Sequence, residues 1–441
     1  MRTFRGFRTN FISISSVLII ILLASCGQSS DLGLGFSTQT LEVETQTPLP
    51  PPTATLVPTD TAIPTSTQTP FTPKAVIHIA VHVPLTGGLE GFGTDILHAS
   101  EMAVNQLSMP LQKLGYGVEI IVYDDENITS KAVENAWELI DDPSILCLVG
   151  HLTSVIQSQT IEIYHSARLA VISPSTTATN LNLSQYPELN RLVGTNAGEV
   201  RAAARFAHEQ GYSSFFVSST SKDRTNGFLF QETATNLGME PAGFEYSDAV
   251  EPPAALVQKI VESNADVLFF SKMDIQQTGK LFRAVRAAGY MGLLLGTGIL
   301  GNPDILDIAG PLVIEGEGLV YAESASPADN YANAASFISE FQKFYGNFPG
   351  LFAVQAYDAA GICLEAIRDA ILSNAGELPE RLDIVNAVRS MVNYQGISGR
   401  YSFNEFGDPV NPPYFIYQVS YFEREKWDQN PLLKIYQDDL P

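Results

Sequence analysis

The sequence is short of cysteine and of positive charge. It has 3 Cys in 441 residues, and 25 Lys and Arg stand against 48 Asp and Glu, a formal net charge of -23. A nucleic-acid surface needs clustered basic side chains, and none occur, so phosphate-backbone partners are excluded. An acidic, solvated surface favours solubility instead. The common catalytic and metal signatures are missing too: there is no Walker lysine, no G-x-S-x-G elbow, no H-E-x-x-H and no paired-cysteine motif. The six histidines are scattered at 78, 82, 98, 151, 165 and 208. The one long apolar run, FISISSVLIIILLAS at 11–25, falls short of the roughly twenty residues that a spanning helix needs.

What is present begins with an export pattern. Arg2, Arg5 and Arg8 precede that apolar run, and Leu23-Ala24-Ser25-Cys26 follows as a lipobox-like cleavage site, so 1–25 reads as a signal peptide and Cys26 as a lipidated N-terminus. Losing those three arginines leaves 22 basic against 48 acidic residues, a net of -26. Thr and Pro make up more than half of 37–73, which cannot bury a core; 26–74 is expected to be an extended tether from the membrane. Cys147 lies in a strand-like run and Cys363 in a helix-like run, so each is expected to be a small buried hydrophobe with no need to pair.

From Lys74 the hydrophobic pattern alternates between strand and helix. Strands are predicted at Ile77 to Val83, Val118 to Tyr123, Ile145 to Val149, Ala170 to Ile172 and Arg191 to Val193, with helices opening at Thr94, at Thr129 or Ser130, and at Ser154. A second series places helices at 197–210, 226–237 and 277–289 between strands at Ser214 to Ser218, Val267 to Phe270 and Leu293 to Gly296. Alternation of this kind means mostly parallel sheet with helices on both faces, and the length implies two α/β lobes. Ligands of such sheets sit beyond the carboxyl ends of the strands, where GHLTS and SPSTTA cluster hydroxyls after two neighbouring runs.

Ser154 opens a helix there, either as its cap or, with exposed first-turn amides, as part of a carboxylate receptor, and Thr177 adds a second donor. TGGLEGFG, with Asp124 some thirty residues on, imitates a dinucleotide fingerprint poorly, because about ten residues part its strand from its helix. Asp124-Asp125-Glu126 suits capping and solvation better than a hard cation, and His151 suits a polar loop role better than that of a base.

Five segments in register, IHIAVHVPLTGGLEGFGTDILHASEMAVNQL, VEIIVYDDE, LVGHLTSVIQSQTIEIYHSARLAVISPSTTA, FRAVRAAGY and GISGRYSFNEFGDPV, resemble the type I periplasmic leucine/isoleucine/valine-binding proteins over nearly all of 75–420. The resemblance implies a two-lobed type I periplasmic-binding fold with a three-crossing hinge near Thr195, Ala322 and Tyr414. Lobe 1 would be 75–195 plus 323–413, and lobe 2 would be 196–322 plus 414–441. It implies an extracytoplasmic, non-catalytic protein that binds a small carboxylate-bearing ligand, an amino acid or relative, without cofactor or metal, and delivers it to an ABC permease. The same fold used as a sensor for a membrane partner is the alternative. Family ligand contacts fall on Ser154, Ser175 and Thr177 in lobe 1, and on Phe92, where the ring is kept without its hydroxyl. In lobe 2 they fall on Asn226 and near Met273 or Asp274. The family acid that pairs the ligand's ammonium falls on Gly298, so Asp274 must supply that charge or the ligand has no ammonium. The family's disulfide near the site is replaced by Thr153 and Glu126.

Overall fold

The computed structural model describes residues 71–181, 185–271 and 274–437. The signal segment, Cys26, nearly all of the tether and Met273 lie outside the described residues. Two sheets carry the fold. The first contains β1 (Ala75–Val83), β2 (Tyr116–Asp124), β3 (Ile145–Gly150), β4 (Ala170–Ser173) and β5 (Leu189–Arg191), all parallel, in the order β2-β1-β3-β4-β5. Between these strands run α1 (Glu90–Leu107), α2 (Met109–Lys113), α3 (Thr129–Asp141) and α4 (Ser154–Ser166).

The second lobe opens on α5 (Asn196–Glu209). It continues as β6 (Ser214–Ser219), α6 (Arg224–Asn236), β7 (Glu240–Tyr246), α7 (Ala254–Ser263), β8 (Val267–Ser271), α8 (Ile275–Ala287), β9 (Leu293–Thr297), α9 (Asp304–Ala309) and β10 (Leu319–Glu323). The chain then returns to the first lobe with α10 (Ala335–Tyr345), α11 (Ala353–Ser373), α12 (Arg381–Arg389) and a small hairpin, β11 (Tyr394–Gln395) with β12 (Arg400–Tyr401). A last passage adds β13 (Pro413–Val419) and β14 (Leu432–Gln437), both antiparallel, to the edge of the second sheet, ordered β14-β13-β10-β9-β8-β6-β7. No described helix is long and apolar enough to cross a membrane.

β3 reads ILCLVG and is buried at every position, as a central parallel strand covered on both faces must be. Cys147 and Val149 join the layer under α11, while Ile145 and Leu148 join the opposite one. α11 is rich in Ala and buries most of its surface, which lets it lie close over β3. That packing brings Cys363 onto Cys147, and the two form a disulfide with a Cα separation of 5.9 Å. Both cysteines are buried as expected, and the bond that the sequence left open forms: their 216-residue separation hides a contact that only tertiary packing makes.

Other departures are local. α1 starts at Glu90 and not at Thr94, so Gly91 and Gly93 lie inside the helix rather than in a phosphate loop. A Cβ at Gly93 would sit 1.8 Å from the Pro84 carbonyl oxygen, so glycine lets the first turn of α1 lie on the end of β1. β5 ends at Arg191, where the sequence pattern begins its strand. β7 and α7 go unpredicted; β7 contains Pro241 and Gly243 and is an edge strand with an exposed, non-alternating profile.

Candidate ligand site at the strand ends

β3 leads through residues 151–153 into α4, and β4 leads into the loop that starts at Pro174. Ser154 is the first residue of α4, and the capping position belongs to Thr153, whose side chain caps no helix amide. Thr153 Oγ1 instead donates to Asn127 Oδ1 at 2.9 Å. Where the resemblance implies a missing disulfide, a hydrogen bond thus joins the β2 and β3 loops. The Ser154 hydroxyl accepts from the Ala178 amide at 3.2 Å, tying the start of α4 to the loop after β4. An accepting hydroxyl keeps its hydrogen free to donate. Ser175 is buried and its hydroxyl donates to the Leu152 carbonyl at 2.8 Å, so it braces the loops. Thr177 is half-buried, and its carbonyl accepts from the Asn196 amide at 2.8 Å. These three residues are brought together, beside first-turn amides that no side chain caps, and this combination favours an anion.

The remaining candidates lie on other elements. Phe92 lies in the first turn of α1 and is 41% exposed. Asn226 is half-buried in the first turn of α6. Asp274 is exposed and caps α8, its Oδ1 accepting from the Gln277 amide at 2.8 Å. Its carboxylate is therefore committed to a helix end.

Gly298 opens a short 3-10 turn, Gly298–Gly301, after β9. Two carboxylates missed by the sequence reading flank it: Glu199 from the first turn of α5 and Glu323 from the end of β10. Burial raises the Glu199 carboxyl to about 7, against weaker lowering by Ser324 and the Gly298 amide, which donates to it at 3.4 Å. Burial, and then the neighbouring Glu199 charge, raises Glu323 well above the usual carboxylate range. A signal for Glu199 existed: it shares a helical stripe with the buried Ala203 and Phe206, an acid on an apolar face.

His151 is neither a base facing solvent nor a backbone-satisfying loop residue. It is fully buried, with Nδ1 3.3 Å from Asp125 Oδ2 and Nε2 3.0 Å from the Tyr164 hydroxyl. His82 Nδ1 meets the same hydroxyl at 3.0 Å. Burial, followed by the His151 charge, lowers the His82 imidazole well below its usual value. His82, Asp125 and His151 place ligand-type atoms within 4.8 Å of one another, the spacing of a metal group. Tyr164, Thr160 and Asn135 already engage the imidazole nitrogens, so the group is a closed hydrogen-bond network. Asp124 and Asp125 accept from loop amides, Asp124 from Leu85 at 2.8 Å and Asp125 from Asn127 at 2.8 Å, but Asp125 is fully buried against His151 and so departs from the solvated role expected of it.

Comparison with known proteins fits this arrangement. The chain is 25% identical over 347 residues to the leucine-, isoleucine-, valine-, threonine- and alanine-binding protein of Pseudomonas aeruginosa, covering 78% of this chain and 89% of that one. An ABC transporter substrate-binding protein from Desulfitobacterium hafniense in complex with Leu superposes with a TM-score of 0.66 at 19% identity, over 81% of this chain and 100% of that one. A solute-binding protein of an ABC transporter from R. palustris in complex with benzoate superposes at 0.61 and 18% identity, over 82% and 97%. The family model described as periplasmic binding protein matches residues 76–426, and with its two α/β lobes the chain belongs to that family of non-catalytic solute-binding proteins.

Proposed function

We propose that the protein is an extracytoplasmic, lipid-anchored member of this family that captures a small carboxylate-bearing molecule, an amino acid or related acid, between its lobes and delivers it to an ABC permease. The observation that carries this reading is the Ser154–Ala178 bond, which gathers a free hydroxyl hydrogen, the uncapped amides of α4 and Thr177 into one anion receptor. Leu and benzoate, the ligands of the two solved relatives, share only a carboxylate as a charged group, which supports placing that group here. Cys26 carries the lipid in this reading, 26–74 is the leash, and the lobes divide as 75–195 plus 323–413 and 196–322 plus 414–441.

Losing one donor to a charged group costs about 1.5 to 3 kcal/mol, so Ser154→Ala is expected to weaken the carboxylate ligand roughly ten- to a hundredfold. Calorimetry with leucine, isoleucine, valine, phenylalanine and their 2-oxo and 2-hydroxy acids measures this. Unchanged affinity for every binder would remove the carboxylate from Ser154.

A further inference from the structure

We propose that the recess between the three chain passages is a second ligand site, separate from the strand-end loops, for a small oxyanion that carries a hydroxyl. The recess has a volume of about 340 Å³, within the range of small-molecule pockets. Its walls come from every passage: Leu192 precedes the first, Ser324 follows β10 on the second, and Pro413 opens β13 on the third, while Gln437 at the end of β14 adds the second sheet. None of Ser154, Ser175, Thr177, Asn226 or Gly298 lines it. It is therefore not the carboxylate receptor described above.

The inner wall holds a polar group that the fold leaves unfinished. Gln355, in the first turn of α11, is 2% exposed and lines the recess. Its Nε2 donates to the Tyr331 hydroxyl at 2.6 Å, whereas its Oε1 has no hydrogen-bond partner among the described residues. An unmet buried amide oxygen is costly, and such groups are as a rule paired. Tyr331, on the same wall, also accepts from the Ser326 amide at 3.1 Å, so neither bond uses its own hydrogen. A hydroxyl group, which donates and accepts at once, answers both residues and suits either end of the amide.

The outer wall supplies the charge. Arg400, in β12, is exposed and is the one charged residue lining the recess. Acids outnumber bases by 48 to 25 in this chain, yet no ion pair or side-chain hydrogen bond engages this guanidinium among the described residues. Its fork matches a carboxylate or a phosphate head, which present the same paired oxygens. The hairpin that carries it is fixed in advance. Asp358 of α11 accepts from the Ile397 and Ser398 amides at 2.7 and 2.8 Å, and the Ser402 hydroxyl accepts from the Asn393 amide at 2.9 Å. A ligand therefore spends little on ordering this wall.

The test separates head from tail: glycerol 3-phosphate and glycerate have both, propanoate has a charged head alone, and glycerol has hydroxyls alone. Calorimetry on the purified full chain compares wild type, Arg400→Gln, Gln355→Met and Ser154→Ala. At least one of the two complete probes is expected to bind wild type about tenfold or more tighter than propanoate and glycerol, and the better of them identifies the head group as phosphate or carboxylate. Arg400→Gln, an exposed change that keeps the hairpin's backbone bonds, should weaken that probe about tenfold or more. Gln355→Met should weaken it about fivefold and leave propanoate unaltered, which a merely structural role for the amide would not do. Should that buried change impair folding, glycerate against propanoate reads the hydroxyl contact on wild type alone. Neither complete probe binding, affinity indifferent to Arg400→Gln, or glycerate and glycerol 3-phosphate no tighter than propanoate would each overturn the inference. The two sites fail separately: a probe that responds to Ser154→Ala and not to Arg400→Gln sits in the strand-end receptor and removes this site, whereas the reverse response keeps it whatever becomes of Ser154.

Discussion

Glu199 stands in the first turn of a fourteen-residue helix, where the positive end of the dipole favours a carboxylate, yet burial lifts its carboxyl to about 7. Because the folded value lies above the unfolded one of 4.5, the folded protein holds the proton more tightly. The stability this contributes is fully present below about pH 4.5 and is lost as pH rises through about 7. The ligand-free protein is thus expected to lose stability between pH 5 and 8, on the order of a few kcal/mol from this coupled pair. Asp358, raised by burial to about 6, tilts the curve the same way, so the diagnostic is the difference between wild type and Glu199→Gln. Urea melts across that range should show a flatter profile for the variant. Parallel profiles would mean that Glu199 titrates in the folded protein as it does in the unfolded chain. At this scale legibility was uneven: Ser154 and Thr177 were readable because hydroxyls after a strand run are a local pattern. Glu199 and Glu323 were not, because 124 residues of chain separate two acids that meet only through α5 packing on β10.

Elements were the most legible level where both faces of a strand are buried, as in ILCLVG of β3, and least where the pattern is diluted by exposure, as in EPAGFEY of β7. The same logic explains the cysteines. Each looked like a core residue and is one, but a strand and a helix that are remote in sequence present both sulfurs to a single layer. The Cys147–Cys363 bond closes a loop across 216 residues, so it restrains the unfolded chain strongly. Replacing both cysteines by alanine is expected to cost about 2 to 5 kcal/mol, part of it lost packing in the layer beneath α11. Denaturant midpoints of the variant against wild type, and of wild type with and without reductant, measure this. A double variant as stable as wild type would leave the bond without a stabilising role.

On the scale of the whole molecule, the chain passes between the sheets three times, and the first and third passages are locked together. The Thr195 amide donates to the Tyr414 hydroxyl at 3.0 Å, and a Cβ at Gly194 or Gly198 would come within 2.3 Å of that hydroxyl. Bending between two separately packed sheets is therefore confined to a few residues around this contact. A ligand can shift such an equilibrium only by binding one arrangement better than the other. A molecule held at Ser154 alone touches one lobe and gives closure little advantage, whereas one that also reaches the second lobe gains its second contact only when the lobes come together. Small-angle scattering on the purified protein should accordingly show a smaller radius of gyration with a saturating ligand than without one. An unchanged scattering profile at saturating ligand would mean that the two lobes form a rigid scaffold and that the ligand gains no contact from their approach.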